Sequence, residues 1–107
     1  MTDHDRNGLD LAIDALYESG WNALDSSDCQ QQDDGRLFPS PERIQNDFTE
    51  DGCEVAVEYI QLFDCYRAEW TDPNGSPEGA VVGASELEAA IYALAQHRQL
   101  SNIGVNP

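Results

Sequence analysis

The chain has 107 residues, with 21 Asp and Glu, five Arg and no Lys, so its formal net charge at pH 7 is −16. This length predicts one domain with a modest core. Because each phosphate contact needs a cation, we expect no direct nucleic-acid binding and no binding to an anionic membrane. A basic protein surface is the partner that this charge favours.

The three cysteines, Cys29, Cys53 and Cys65, are odd in number and show no C-x-x-C spacing. This pattern favours reduced thiols in a reducing compartment over a disulfide framework. The first residues lack the basic segment and the apolar segment that together mark a signal peptide. No apolar run is long enough to span a membrane. We therefore expect a cytoplasmic protein without a signal peptide.

The first half of the chain predicts two helices separated by a surface loop. Residues 9–24 carry apolar residues at helical spacing, with Gly20 as an alternative end. Residues 25–39 are polar and without a period, which predicts a surface loop. Ser40 as N-cap and Pro41 at the first helical position predict a second, short helix.

Residues 53–71 alternate between apolar and polar side chains, as half-buried strands do. The segment is too long for one strand, so we place a turn near Gln61–Asp64. The alternative is that the second helix continues through Val55, Tyr59 and Leu62.

The last third predicts a hairpin followed by a helix. "DPNGSPEG", residues 72–79, is a strong β-turn sequence. Ser85 and Glu88 predict a capping box at the start of the final helix. We expect residues 1–7 and 100–107 to be frayed. The predicted fold is a single α+β domain, order α-α-β-β-β-α, with a three-stranded antiparallel meander covered by helices.

Two resemblances accompany this order. The segment "CYRAEWTDPNGSPEGAVVGASELEAAIYALA" resembles the β-β-α end of a double-stranded RNA-binding domain, but Glu86 and Leu87 stand where that family needs lysines. RNA binding is therefore not implied. Nearly the whole chain resembles the phage ABA-sandwich type of small domain, in which the first helix ends in Gly-Trp, here Gly20–Trp21. That resemblance implies a fold and a phage-like setting, and no catalytic residues.

Signals for catalysis or for a cofactor are weak. His4 lies in the terminus, and His97 is placed on the polar side of the last helix, where it suits the helix C-terminus. Without a nucleophile, a base and an orienting group together, we expect no enzyme and no cofactor or metal. Residues 3–14 superficially resemble a calcium loop, but position twelve is Asp14 where glutamate is needed, and an Asp-rich helix start is the preferred interpretation.

The acidic surface is the remaining candidate site. Residues 1–72 hold 18 of the 21 acidic residues. Asp10, Asp14 and Glu18 are four residues apart, so they line one helix face. Together with Glu54 and Glu58 they form the predicted protein-binding surface, which would contact a basic protein, with imitation of nucleic acid as one form of this function. The alternative is an acidic domain adapted to a salt-rich cytoplasm, which equally acidic neighbouring proteins would favour.

Overall fold

The computed structural model describes residues 8–21, 29–32 and 35–105, and the side chains up to residue 99. It is an α+β fold of three helices and two antiparallel sheets. The helices are α1 (Gly8–Glu18), α2 (Pro41–Glu50) and α3 (Glu86–Val105). The strands are β1 (Cys29–Gln31), β2 (Leu37–Pro39), β3 (Glu54–Ile60), β4 (Cys65–Thr71) and β5 (Pro77–Gly83).

Helix α1 ends at Glu18, so the prediction that it continues to about residue 24 was wrong. Trp21 N–H donates to Leu16 O at 3.4 Å and Gly20 N–H donates to Tyr17 O at 3.0 Å. This pair of bonds is the Schellman arrangement, which needs a left-handed residue after the helix. Gly20 supplies it with φ +96° and thereby stops the helix.

The predicted surface loop at 25–39 contains a short hairpin that the sequence did not reveal. The observed order is therefore α-β-β-α-β-β-β-α, and the predicted order α-α-β-β-β-α was wrong in lacking these two strands. β1 and β2 pair antiparallel, with Gln30 opposite Phe38. Phe38 is buried, while Gln30 and Gln31 are exposed. The hairpin is fastened to α1, because Tyr17 Oη donates to Leu37 O at 2.6 Å.

Helix α2 forms as its sequence predicts. Ser40 Oγ accepts from Arg43 N–H at 3.2 Å, and Pro41 is the first helical residue. Ile44 and Phe48, one turn apart, are the two buried residues of the helix. Gly52, with φ +80°, follows it and turns the chain into β3.

The second sheet is the predicted meander in the order β3-β4-β5, so the alternative in which α2 continues to Leu62 was wrong. The connection between β3 and β4 is a 3₁₀ turn at Gln61–Phe63, followed by Asp64 in the left-handed region. Tyr59 Oη donates to Asp64 Oδ1 at 2.7 Å, a bond that helps to hold this turn. The second turn is also as predicted, since Gly75 N–H donates to Asp72 O at 2.9 Å.

Helix α3 covers one face of the meander. It contacts all three strands, and α1 and α2 pack against it in turn. The core lies between these layers; its largest fully buried side chains include Ile13, Leu16, Ile44, Phe48, Trp70, Ile91 and Leu94. No helix within the described ranges is long and apolar enough to cross a membrane.

The start of α3 differs slightly from a full capping box. Ser85 Oγ accepts from Glu88 N–H at 3.1 Å, as predicted. The Glu88 carboxylate accepts from Ala84 N–H at 2.9 Å, one residue before the expected donor. At the other end, α3 runs to Val105, where the sequence predicted a frayed tail from residue 100. The predicted frayed start, residues 1–7, lies outside the described residues.

Candidate functional site

Three of the predicted protein-binding residues lie on α1, but two of them are engaged within the molecule. Gln32 Nε2 donates to Asp10 Oδ1 at 2.5 Å, and Arg36 Nη1 donates to Asp14 Oδ1 at 2.5 Å. These bonds tie α1 to the β1–β2 hairpin. Glu18, at the last turn of α1, is exposed. The sequence predicted that Asp10 and Asp14 would face a partner, whereas here they also organise the hairpin.

Glu54 and Glu58 lie on a different surface. They alternate with Val55 and Val57, which face α2 and α3, so both carboxylates stand on the opposite face of the sheet. The five predicted residues are therefore divided between α1 and this face, which we call the outer sheet face. It comprises the alternating residues Glu54, Ala56, Glu58, Ile60, Cys65, Arg67, Glu69, Thr71, Ala80 and Val82.

The strand register places one arginine among three carboxylates on the outer sheet face. Arg67 lies opposite Glu58 on β3 and opposite Val82 on β5. It also pairs with Glu69 along its own strand, at 3.1 Å. Glu54 lies opposite Thr71, which is the next residue of β4 on the outer sheet face after Glu69. These four ionisable groups carry a combined formal charge of −2.

Exposed apolar side chains lie on this face and at the end of the sheet. Val82 is 59% exposed, and at the β3–β4 turn Leu62 and Phe63 are 83% and 72% exposed. Large apolar groups with this exposure gain nothing from burial in the monomer. A group of exposed apolar side chains next to polar ones is typical of an interaction surface.

His97 is buried, so the prediction that it lies on the polar surface was wrong. It is 4% exposed, and its ring lies 4.9 Å from the ring of Phe48. The spacing explains this position: Ala90, Leu94 and His97 are four and three residues apart, which is the period of one helix face. That signal was present in the sequence.

The two ring nitrogens of His97 have different surroundings. Nε2 lies 2.8 Å from Asp51 Oδ2 in hydrogen-bond geometry. Nδ1 lies 3.3 Å from Glu78 Oε1. The angle of that second contact does not make a hydrogen bond, so the buried Nδ1 has no hydrogen-bond partner among the described residues. A buried nitrogen without a partner is costly and needs an explanation.

Cys53 and Glu78 complete a cluster around this nitrogen. The donor atoms of Cys53, Glu78 and His97 all lie within 4.8 Å of one another. Cys53 is buried, as its alternation with Val55 predicts. Glu78 comes from the predicted turn, and no sequence signal marks it as a neighbour of His97.

A β-bulge brings the partly exposed Glu78 side chain beside His97. Trp70 pairs with Gly79 and Thr71 pairs with Pro77, so Glu78 is an extra residue of β5 without a partner in the ladder. Bulges redirect side chains in this way. Trp70 Nε1–H then donates to Glu78 Oε1 at 3.0 Å and holds the carboxylate beside His97.

The surroundings of Cys53 keep its thiol protonated. Burial, followed by the negative charges of Glu78, Asp51 and Asp72, raises the pKa of the Cys53 thiol. A catalytic cysteine needs the opposite shift, because the thiolate is the nucleophile. The Cys53–His97 pair therefore has the proximity of a catalytic pair without its electrostatics.

Two surface clefts of the described residues lie outside this cluster. One cleft of about 270 Å³ runs between the ends of α1 and α2 and the side of α3. Arg43, Asp47 and Asp51 line it, so it touches the cluster only through Asp51. Residues 3–7 of the segment that resembles a calcium loop lie outside the described part, and residues 8–14, with Asp10 and Asp14, lie in α1.

Comparisons with known proteins do not identify the chain. No protein-family model matches it, no curated protein is similar to it at a significant level, and no solved structure matches its fold. The function must therefore be argued from the side chains themselves.

Proposed function

We propose that this protein is a non-enzymatic interaction module that binds a basic protein surface through its outer sheet face. The observation that carries the proposal is the combination on one face of exposed carboxylates, Glu54 and Glu58, with the exposed Val82, and of the exposed Leu62–Phe63 turn at the end of the same sheet. Interfaces commonly join an apolar centre to a charged surround.

Charge selects the class of partner. With a net charge of −16, the chain attracts cationic surfaces from a distance and repels nucleic acid. Glu54 and Glu58 are four residues apart on one strand, roughly 13 Å. This spacing of negative charges is much wider than that of duplex DNA, which carries one phosphate per roughly 1.7 Å of its axis. The face therefore suits a patch of Lys and Arg on a folded protein, without close imitation of DNA.

The test is affinity capture from cells of the source organism, followed by titration of the captured protein in purified form. The outer-face variant is Glu54→Gln with Glu58→Gln. The control is Glu42→Gln with Glu50→Gln, which removes two exposed charges from α2. One control residue is in the first turn and one in the last, so their effects on the helix dipole oppose each other.

We expect wild type and control to bind the same basic protein at low salt. Two lost charge contacts of 0.2–1 kcal/mol each raise the Kd of the outer-face variant by roughly 2- to 30-fold. Equal affinity of the two double variants, or binding that is indifferent to salt, would contradict the proposal.

The rival proposal is that the charge is an adaptation to salt without a partner. Its support is the wide distribution of the acids, since exposed carboxylates lie on α1, α2, β3 and α3. Screening of their mutual repulsion would then raise the urea midpoint steadily with KCl, and capture would yield no specific protein. A salt-independent midpoint would remove this rival.

A further inference from the structure

The cluster formed by Cys53, Glu78 and His97 has the donor set of a transition-metal site. A thiolate, an imidazole and a carboxylate are the three ligand types that Zn²⁺ takes in proteins. The donors come from three parts of the fold: the start of β3, the bulge of β5 and the buried side of α3. Their proximity is thus a product of the tertiary structure.

The distances fit one small ion. Two ligands at about 2.1 Å from a tetrahedral metal lie about 3.4 Å from each other. His97 Nδ1 and Glu78 Oε1 are 3.3 Å apart, close to that value. The Cys53 sulfur lies within 4.8 Å of a ring nitrogen of His97 and of a carboxylate oxygen of Glu78. A nitrogen–sulfur edge in such a site is about 3.6 Å, so the sulfur needs to move by about 1.2 Å at most.

The unpartnered Nδ1 of His97 is the independent sign of a ligand. When Nε2 carries the ring proton and donates it to Asp51, Nδ1 presents a lone pair beside Glu78. A histidine that binds a metal usually donates its other N–H to a carboxylate in this way. A metal would satisfy the one buried side-chain atom that lacks a hydrogen-bond partner among the described residues.

We propose that Cys53, Glu78 and His97 bind one Zn²⁺ or similar transition-metal ion, with Asp51 orienting His97 and Trp70 orienting Glu78. Binding displaces the thiol proton of Cys53 to solvent, and the two ligand charges balance the ion. The side chain of Glu78 is 34% exposed, so the site has an edge open to water. Three protein ligands leave the fourth tetrahedral position for that water.

The competing explanation is a structural hydrogen-bond network. A doubly protonated His97 could link Asp51 to Glu78 and so fasten α3 to the sheet. That arrangement leaves Cys53 as a core residue whose thiol donates to Asp51 O at 3.8 Å. The metal site in addition gives a reason for the position of its sulfur within 4.8 Å of the other two donor atoms. The two explanations differ in whether the thiol becomes a ligand, and this can be measured.

The experiment is a titration of the full chain, freed of metal and reduced, with Co²⁺ and then with competing Zn²⁺. High ionic strength suppresses weak binding to the surface carboxylates. We expect one equivalent of Co²⁺ to give tetrahedral absorption bands and a thiolate-to-cobalt charge-transfer band, which Zn²⁺ abolishes. Absence of the charge-transfer band in the wild type would overturn the proposal.

Variants separate ligands from neighbours. Cys53→Ser should lose the charge-transfer band, whereas Cys65→Ser, on the outer sheet face, should keep it. Asp51→Asn should raise the Kd about 10- to 100-fold, because it removes the outer partner of the histidine. A band that survives Cys53→Ser, or is lost with Cys65→Ser, would contradict the assignment.

A measurement on the wild type covers the case in which Cys53→Ser does not fold. Zn²⁺ should slow alkylation of Cys53 at least tenfold and leave the alkylation rate of Cys65 unchanged, as read by mass spectrometry of each cysteine. Equal rates at Cys53 with and without Zn²⁺ would refute the site. This test is independent of the outer sheet face, so either proposal can fail alone.

Discussion

Helix α3 approaches the meander closely at Gly83, and this contact yields a quantitative prediction. A β-carbon at Gly83 would lie 2.7 Å from the backbone nitrogen of Ala89 and 3.0 Å from its α-carbon. Ordinary contact begins at 3.4 Å, so α3 would have to move away from β5 by at least 0.7 Å, the difference between 3.4 and 2.7 Å. No side-chain rotation can relieve this contact, because the obstructing atoms are backbone.

We expect Gly83→Ala to destabilise the fold. Forcing extra volume into a packed interior costs about 1–3 kcal/mol, and the backbone contact favours the upper half of that range. Replacing a strand glycine by alanine also adds roughly 0.5–1 kcal/mol of stability, because the unfolded chain then has less conformational entropy to lose. The net loss is about 1–2.5 kcal/mol, or roughly 4–20 °C in Tm for a domain near this size.

The assay is equilibrium unfolding in urea, followed by tryptophan fluorescence because Trp21 and Trp70 are buried. Ala80→Gly is the matched control: it makes the reverse change on the same strand at an exposed position. The free energy of unfolding of Ala80→Gly should be lower by only about 0.5–1 kcal/mol, the intrinsic difference between alanine and glycine in a strand. If Gly83→Ala instead stabilised the protein by that amount, the close approach of α3 would be refuted.

Three further predictions use the same unfolding assay. The pKa of the Cys53 thiol is raised in the folded protein, first by burial, so the unfolded chain loses this proton at a lower pH than the folded chain does. The free energy of unfolding should therefore fall as the pH rises above 9.0, the ordinary pKa of the thiol. Cys53→Ala should reduce this pH-dependent loss of stability. Asp14→Asn should cost less than about 1 kcal/mol, because Asp14 and Arg36 are each about one-third exposed. Leu62→Ser with Phe63→Ser should change stability by less than about 0.5 kcal/mol, since both side chains are exposed; a larger loss would mean that the turn is packed.

Local chemistry made several elements predictable. The cap at Ser40 and the proline after it fix the start of α2 without help from the rest of the chain. The length of the segment 53–71 required a break, and the alternation on both sides placed it at residues 61–64. In each case the residues that determine the structure lie within a few positions of it.

The missed features depend on distant partners. β1 is a three-residue strand whose sequence, Cys-Gln-Gln, has little strand propensity, and it forms because β2 and α1 hold it. Glu78 comes to lie beside His97 because of the register shift between β4 and β5. The burial of His97 is different, because its helical spacing to Leu94 indicates a buried position. A lone histidine near a helix end suits solvent equally well, and for that reason the prediction placed it on the surface.

Gly79 connects the packing of the sheet to the candidate metal site. A β-carbon there would lie 2.4 Å from the indole ring of Trp70, so the indole rests directly on the glycine backbone. In that position Trp70 Nε1–H reaches Glu78, the bulged residue next to the glycine. A larger residue at 79 would displace the indole and release the carboxylate. A glycine in a strand weakens the strand itself, so its use here is best explained by the close approach that aims Glu78 at His97.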